Sequence, residues 1–457
     1  MNLKYDILDI LPNPRDIDLP KYFKKTITEE KLVSGLSDEE IEEGHSTLIE
    51  CYTNLKNKIP APPDYSDPEV YITYIDNYLK NYYPRMFFIM NHLMKYTSFF
   101  DLLDSWNEKQ IKILDIGAGP GTMCFSFIEY LEYINQLGTF DFKYSINIIE
   151  RENNFINFIN KLEANVENLN AKLKKTITIE KPIRPLSIDF NDVKQSLNAI
   201  LGKVNYDVII LSFILNENEP QEEKNKKLFQ SLSEHITDEG IIIFIGAASD
   251  YIHEYFQIDF KKEFGLNRNA PCLSGNLTYG IENNKRCPFF KPCGDLCTFQ
   301  ISQDERNKFC YMVLSKKDFL YDRYNNHLKK SVEFFKKYEH HLNIRTYSQK
   351  KPELGEVTDI IGILTNKERK LQKCDYYFCN GSCKFKIDGL ELPELEIKEG
   401  DLVIFENLIY DGLYPKINKS HGKYIPKQMG EIGFKYNRDT SKGLLSNFEV
   451  IPYLSNA

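Results

Sequence analysis

The chain has 457 residues, which by the usual size of a domain is enough for two or three domains. Its 42% hydrophobic and 27% charged residues are typical of soluble globular proteins, and no apolar run approaches the roughly 20 residues of a membrane span. The formal net charge of -8 disfavours nucleic-acid binding through the overall field of the chain. The first residues lack the pattern of a secretory signal, so we expect a cytoplasmic protein. If the chain is eukaryotic and carries a targeting segment that we do not recognise, we expect a mitochondrial protein.

Residues 1–105 predict a mostly helical region. Ser37 is followed by three acidic residues, and a hydroxyl or carboxylate at such a position accepts hydrogen bonds from the free amides of a helix start. Between Glu69 and Phe100, apolar and aromatic residues recur at helical spacing, which predicts helices that pack on the next domain. We interpret the aromatic side chains of this stretch as core.

Residues 106–315 predict a Rossmann-like domain whose first strand ends in a glycine-rich turn. An apolar run ends in Asp115, and Gly117, Gly119 and Gly121 follow at every second position. Glycines at the end of a buried parallel strand let the backbone turn sharply and approach a ligand closely. The third glycine comes one residue too early for the dinucleotide fingerprint, and the Gly-Lys-Ser/Thr of a phosphate-binding loop is absent.

The string D-x-G-x-G-x-G resembles motif I of the class I S-adenosylmethionine (SAM) methyltransferases. In that family the glycines pass under the amino-acid part of SAM, so the resemblance implies a SAM site at Asp115 and the three glycines. The second predicted strand ends in Glu150, with Glu152 as the alternative, where the family places an acid on the ribose hydroxyls. Asp189 follows another predicted strand, at the position that reads the adenine amino group. Apolar runs that alternate with helical stretches predict a parallel, doubly wound α/β sheet.

Seven of the ten cysteines fall into two groups: Cys272, Cys287, Cys293 and Cys297 within 26 residues, and Cys374, Cys379 and Cys383 within ten. In a long chain without a secretion signal, such groups favour a metal site over disulfides. The other three, Cys51, Cys124 and Cys310, we predict to be buried free thiols.

Four segments in fixed order carry a second resemblance: YDVIILSFILNE from Tyr206, GIIIFIG from Gly240, Ala-Pro-Cys at 270–272 and Cys-x-Phe-Gln at 297–300. They are similar to the methyltransferase-like family of the mitochondrial small ribosomal subunit and its bacterial and archaeal homologues, over roughly residues 71–386. The resemblance implies a class I methyltransferase fold, a four-cysteine iron–sulfur site and association with small-subunit RNA during assembly. This chain departs from the pattern in having Ile-Gly-Ala in place of the family's Glu-Pro-Gly after the late strand.

The family pattern implies that four cysteines hold a [4Fe–4S] cluster: Cys272, Cys287, Cys297 and Cys379. A local set would replace Cys379 by Cys293. Zinc is a further alternative, because Cys293-x₃-Cys297 and Cys379-x₃-Cys383 have the spacing of zinc knuckles.

Residues 316–386 carry sixteen Lys and Arg against nine Asp and Glu, a local balance of +7 in an acidic chain. Lys329, Lys330, Lys336 and Lys337 form either a solvated helical face or an RNA-binding patch. Residues 387–457 are rich in strand and turn signals and predict a small barrel or sheet.

These observations leave three hypotheses open. The protein is a ribosome-assembly factor with a SAM-binding fold and a cluster, an active methyltransferase on a small molecule, peptide or protein, or a zinc-stabilised binding protein on an inactive scaffold. The sequence names neither a general base nor a methyl acceptor. Methyl transfer proceeds largely through proximity and in-line orientation, so the lack of a recognisable base excludes none of the three.

Overall fold

The computed structural model describes residues 10–56, 62–107, 109–136, 140–169, 177–179, 202, 204–213, 222–247, 258–270, 309–319, 326–327, 330, 353–370, 373–380, 383–390, 397, 401–414, 431–439, 441 and 443–451. These residues divide into two compact units, the first ending at Phe319 and the second beginning after it. None of the helices in these ranges combines the length and the apolar character that a bilayer crossing requires.

A short 3-10 helix, Pro14–Asp16, and five α-helices precede the first strand: α1 Lys21–Ser34, α2 Asp38–Lys56, α3 Pro68–Asn77, α4 Leu79–Tyr96 and α5 Phe99–Trp106. The predicted cap of α2 is present as a capping box. The Glu40 amide donates to Ser37 Oγ at 3.3 Å, and the Ser37 amide donates to Glu40 Oε2 at 2.7 Å. The cap explains why α2 starts where the sequence predicts.

Seven strands form the large sheet of the first unit: β1 Gln110–Ile116, β2 Lys143–Ile149, β3 Ile177–Ile179, β4 Tyr206–Ser212, β5 Ile236–Ala247, β6 Asn267–Ala270 and β7 Phe309–Ser315. Their spatial order is β3-β2-β1-β4-β5-β7-β6. Neighbours from β3 to β5 are parallel, and β7 alone runs against the strands beside it. The predicted doubly wound sheet is therefore confirmed, and the order reverses between β1 and β4, where such sheets bind their ligands.

Four helices connect these strands: α6 Thr122–Gln136, α7 Asn153–Leu169, α8 Glu222–His235 and α9 Phe260–Phe264. The N-terminal helices are tied to this layer by buried hydrogen bonds. Ser126 Oγ of α6 donates to the Tyr83 carbonyl of α4 at 2.6 Å, and Asn165 Nδ2 of α7 donates to Thr26 Oγ1 of α1 at 2.8 Å. The N-terminal helices thus belong to the same unit as the sheet, as their apolar periodicity predicts.

The second unit contains six strands: β8 Val357–Lys370, β9 Lys373–Asn380, β10 Cys383–Asp388, β11 Leu402–Tyr414, β12 Glu431–Lys435 and β13 Asn447–Ile451. Strands β8, β9 and β10 form an antiparallel meander. β12 pairs parallel with β10 and antiparallel with β11, and β11 returns to pair antiparallel with β8. Five strands thus close a barrel with the connectivity of the OB-fold, and β13 extends it beside β11.

Aromatic side chains fill the barrel. Phe378, Phe385, Phe405 and Phe434 are fully buried, and the ring centroids of Phe378 and Phe405 lie 4.9 Å apart. The boundary expected between residues 316–386 and 387–457 falls inside β10, so the barrel draws strands from both predicted regions. The cause is the pairing of β8 with β11, which closes the barrel across that boundary.

Candidate functional site

The glycine-rich turn lies at the carboxyl end of β1, beside the carboxyl end of β2. The Gly117 amide donates to the Ile149 carbonyl at 2.7 Å, which holds the turn against the neighbouring strand. Gly117, Gly119 and Gly121 have φ angles of 65°, 55° and 76°, a left-handed backbone that favours glycine. A Cβ at Gly119 would meet no atom within 4 Å, so the turn borders open space at this point.

Glu150 follows β2, and its carboxylate is held by three backbone amides. Oε2 accepts from Gly119 at 2.6 Å, and Oε1 accepts from Arg151 at 2.7 Å and from Glu152 at 2.9 Å. Burial raises the pKa of Glu150, although the three amide hydrogen bonds act in the opposite direction. A carboxylate has about four acceptor positions, so Glu150 keeps roughly one for a ligand hydroxyl.

Asp115, near the end of β1, is the second carboxylate of the site. Its side chain is fully buried, and neither oxygen has a hydrogen-bond partner among the described residues. Burial and, after it, the nearby Glu150 carboxylate raise the pKa of Asp115 to about 8, while the Cys124 amide acts in the opposite direction. A buried carboxylate without a partner is costly, and a cation from outside the chain would relieve that cost.

Thr122, the first residue of α6, adds an unsatisfied hydroxyl to the same turn. Its Oγ1 is buried without a hydrogen-bond partner in the described part of the chain. The start of a helix favours negative charge, because its first amides are unpaired and its dipole is positive there. The turn therefore has an acceptor for a cation at Asp115 and a donor for an anion at Thr122. That combination fits an α-amino acid group.

No protein-family model matches this chain, and no curated protein matches it. Several solved structures resemble part of it. The glycopeptide N-methyltransferase MtfA complexed with SAM is 17% identical over 33% of this chain and 53% of its own, with a TM-score of 0.22. The ribosomal protein L11 methylase from Lactobacillus delbrueckii subsp. bulgaricus is 13% identical over 48% of this chain and 77% of its own, with a TM-score of 0.25. The precorrin-6y C5,15-methyltransferase from Geobacter metallireducens GS-15 is 12% identical over 48% and 86%, with a TM-score of 0.26.

These TM-scores are too low to assign the fold, so the assignment is made from the strand order. An order of β3-β2-β1-β4-β5-β7-β6 with a reversed β7 is that of the class I methyltransferases. The first unit has the class I SAM methyltransferase fold. This chain spans about half of the length of the MtfA chain, 53%.

The methyltransferase fold brings together five of the six residues predicted to bind the cofactor. Asp115, Glu150 and the three glycines lie at the paired ends of β1 and β2. The sixth, Asp189, lies outside the described residues. The sequence did not single out Thr122, because only the structure shows that its hydroxyl is buried without a hydrogen-bond partner among the described residues.

The cysteine predictions fall mostly outside the described residues. Cys272, Cys287, Cys293 and Cys297 all lie in that part of the chain, whereas Cys379 lies on β9 and pairs with Lys384 of β10. No group of metal-ligating side chains occurs in the ranges that the structure describes. Cys124 and Cys310 are buried as predicted, and Cys51 is partly exposed.

Of the four lysines predicted to form either a solvated helical face or an RNA-binding patch, only Lys330 lies in the described residues. Lys330 Nζ lies 2.5 Å from Asp359 Oδ2, so its charge is already paired. The other three, Lys329, Lys336 and Lys337, are not described.

A second group of residues lies where β4 ends, at the same edge of the sheet as the glycine-rich turn. Phe213 follows β4 with a φ of 61°, and its amide donates to the Ile245 carbonyl at 2.8 Å. Its ring stacks on Tyr82 of α4, with centroids 4.8 Å apart. Such a backbone is strained for phenylalanine, and strain of this kind concentrates at functional sites. No local sequence signal distinguishes Phe213.

Proposed function

We propose that the first unit binds SAM at the glycine-rich turn and transfers its methyl group. The observation that carries this proposal is the buried Asp115 carboxyl, which has no hydrogen-bond partner among the described residues, beside the amide-bound carboxylate of Glu150. These groups and the Thr122 hydroxyl match the ammonium and carboxylate of the methionine part of SAM. The open space at Gly119 would accept that part, and the remaining acceptor position of Glu150 would take a ribose hydroxyl.

The chain's own residues position the reactants. Asp115, Thr122 and Glu150 would hold SAM, which would supply an electrophilic methyl group to the acceptor's lone pair, with a neutral thioether as the leaving group. The acceptor's proton passes to solvent, and orientation alone supplies much of the acceleration in such a transfer.

Calorimetric titration of the purified chain with S-adenosylhomocysteine tests the cofactor proposal. We expect one site per chain, with competition by SAM and by sinefungin. NADH serves as the control, because the third glycine of the turn comes one residue too early for the dinucleotide fingerprint. NADH binding at the same site, with no binding of S-adenosylhomocysteine, would overturn the proposal.

A second candidate function belongs to the barrel. We propose that the barrel binds single-stranded RNA on the outer face of β9 and β10. This partner is the one that the resemblance implies, small-subunit RNA. The corresponding strands of OB-folds bind oligonucleotides. Tyr377 of β9 lies directly opposite Lys386 of β10, and both are half-buried between fully inward-facing neighbours. An aromatic ring can stack on a base, and a cation beside it can neutralise a phosphate.

Substitution of Tyr377 tests the RNA-binding face. We expect Tyr377→Ala to weaken binding of a single-stranded RNA of about 12 nucleotides by roughly tenfold, because one base loses its stacking partner. Tyr377→Phe keeps the ring and should bind like the wild type. Lys386→Gln should reduce the salt dependence of binding, since one fewer counterion is released. Fluorescence anisotropy at several salt concentrations measures both effects. Equal binding by Tyr377→Ala and the wild type would exclude this face.

The [4Fe–4S] cluster remains a proposal from the sequence pattern, with zinc as its alternative. Its support is the resemblance of the cysteine pattern and the preference of soft thiolates for iron–sulfur clusters and zinc. The structure describes the backbone of one proposed ligand, Cys379, on a strand of the barrel. If the family pattern holds, the cluster joins that strand to the cysteines at 272, 287 and 297.

Two serine variants decide between the ligand sets. In protein purified without oxygen, we expect Cys379→Ser to lose the broad absorption near about 400 nm that thiolate-bound clusters show. Cys293→Ser should keep this absorption and the bound iron. Iron loss in Cys293→Ser with retention in Cys379→Ser would favour the local set. Stoichiometric zinc without iron in the wild type would replace the cluster by a zinc site.

A further inference from the structure

Arg85 of α4 is a buried cation beside the end of β4. Its side chain is 2% exposed, and its guanidinium lies over three aromatic rings, 4.3 Å from the Tyr82 centroid, 5.3 Å from Phe213 and 5.1 Å from Phe309. Phe213 follows β4, and Phe309 begins the reversed strand β7, so both rings lie at the carboxyl edge of the parallel strands. Arg85 therefore lies at the edge of the sheet where the glycine-rich turn also lies.

Among the described residues, the titratable groups whose charge acts on the Arg85 guanidinium are the side chains of Tyr82, Tyr74, Cys310 and Tyr52, and none of these is a carboxylate. Among the described residues, no carboxylate pairs with the guanidinium, and its Nε has no hydrogen-bond partner. Burial lowers the pKa of Arg85 to about 10, so the side chain is still charged at neutral pH.

Packing alone does not account for an arginine at this position. Cation–π contacts offset part of the cost of burying the charge, but they supply no acceptor to the N–H donors of the planar fork, and Nε has none among the described residues. That fork matches the two oxygens of a carboxylate or phosphate, which it binds in bidentate fashion. A buried charge is strongly unfavourable without such a partner. Since the described residues provide none, an oxyanion from outside the chain would be stabilised here.

We propose that Arg85 binds the oxyanion of a small methyl acceptor, a carboxylate or a phosphate ester, between Tyr82, Phe213 and Phe309. The proposal gives a substrate class for the methyl transfer proposed above. It rests on that proposed function only where it identifies the bound anion as the methyl acceptor. The binding of the anion itself depends only on the surroundings of Arg85. Under this proposal, the methyl acceptor binds at the end of β4 and the cofactor binds at the ends of β1 and β2.

Calorimetry on the whole chain saturated with S-adenosylhomocysteine tests the inference, with benzoate and phenyl phosphate as probes and neutral benzamide as the matched control. We expect one or both anions to bind and benzamide to bind at least about tenfold more weakly, since it lacks the charge that the fork recognises. The stronger of the two anions identifies the acceptor as a carboxylate or a phosphate ester.

Arg85→Met should lose the preference for the anion, at least about tenfold in Kd. Arg85→Lys keeps a point charge without the fork, so its affinity for the anion should lie between those of the wild type and Arg85→Met. This variant keeps the test usable if the methionine variant folds poorly. Arg268→Met is the control, because it removes another buried guanidinium that lies 5.6 Å from the ring centroid of Phe260. It should bind the anion like the wild type.

Equal binding of benzoate and benzamide, no anion binding, or unchanged anion binding in a folded Arg85→Met protein would each overturn the inference. The titration with S-adenosylhomocysteine separates this failure from that of the proposed function. If the nucleoside binds and the anions do not, only the assignment of Arg85 fails. If anions bind through Arg85 and the nucleoside does not, the cofactor proposal fails and the anion site stands without its role in methyl transfer.

Discussion

Gly119→Arg is expected to abolish binding of S-adenosylhomocysteine, with a loss of at least about 3 kcal/mol, roughly 100-fold in Kd. A Cβ at this position meets nothing within 4 Å, so the arginine side chain would extend into the space assigned to the methionine part of the cofactor. The φ of 55° also strains any residue other than glycine, which would move the Gly119 amide away from Glu150 Oε2. Calorimetry measures the loss directly.

Gly35→Arg is the matched control for this variant. Gly35 ends α1 with a φ of 65°, and a Cβ there also meets no atom within 4 Å. The substitution thus imposes the same backbone strain and the same bulk away from the glycine-rich turn. We expect its affinity for S-adenosylhomocysteine to equal that of the wild type. A folded Gly119→Arg protein with unchanged affinity for S-adenosylhomocysteine would refute the assignment of the cofactor site.

The second large effect is on the pH dependence of stability at Asp115. The pKa of this carboxyl rises from 3.8 to about 8 on folding, so between these values the folded protein keeps a proton that the unfolded chain has lost. The stability that this carboxyl contributes is therefore fully present below about pH 4 and is lost as the pH rises toward 8. The full change in the free energy of unfolding is at most on the order of 6 kcal/mol, because a tenfold change in a protonation equilibrium corresponds to about 1.4 kcal/mol.

Asp115→Asn should remove most of this loss, because an amide of the same shape does not ionise. Urea unfolding of the first unit between pH 5 and 8 compares the two proteins, and the wild type should show the steeper decline. Glu150 has its pKa raised as well, so a smaller decline of the same sign should remain in the variant. An equally steep decline in Asp115→Asn would show that Asp115 ionises normally in the folded protein.

The same carboxyl links cofactor binding to protons. A ligand ammonium beside Asp115 favours the ionised form, so binding at pH 7 should release a proton and the affinity should rise between pH 6 and 8. Titrations in buffers of different ionisation enthalpy count the released proton. Asp115→Asn should bind more weakly and without release. Proton release by this variant would place the ammonium elsewhere.

Local patterns in the sequence determine much of the first unit. The alternation of apolar runs with helical stretches indicates the parallel sheet, because each pattern reflects one element and its burial. The glycine spacing after Asp115 indicates the site, because a left-handed turn at a strand end needs glycine locally. Ser37 marks the start of α2 for the same reason, since a cap acts within one helical turn.

Only the tertiary structure decided the closure of the barrel and the surroundings of Arg85. β8 pairs with β11 across the boundary that composition suggested, and such pairing depends on contacts between distant segments rather than on either segment's own pattern. Arg85, Phe213 and Phe309 come from a helix, a strand end and a reversed strand that are far apart in the chain. In any local window of sequence, an arginine in a helical stretch is typical of a solvated charge. Only the packed neighbours show that this one is buried and that the described residues give it no counterion.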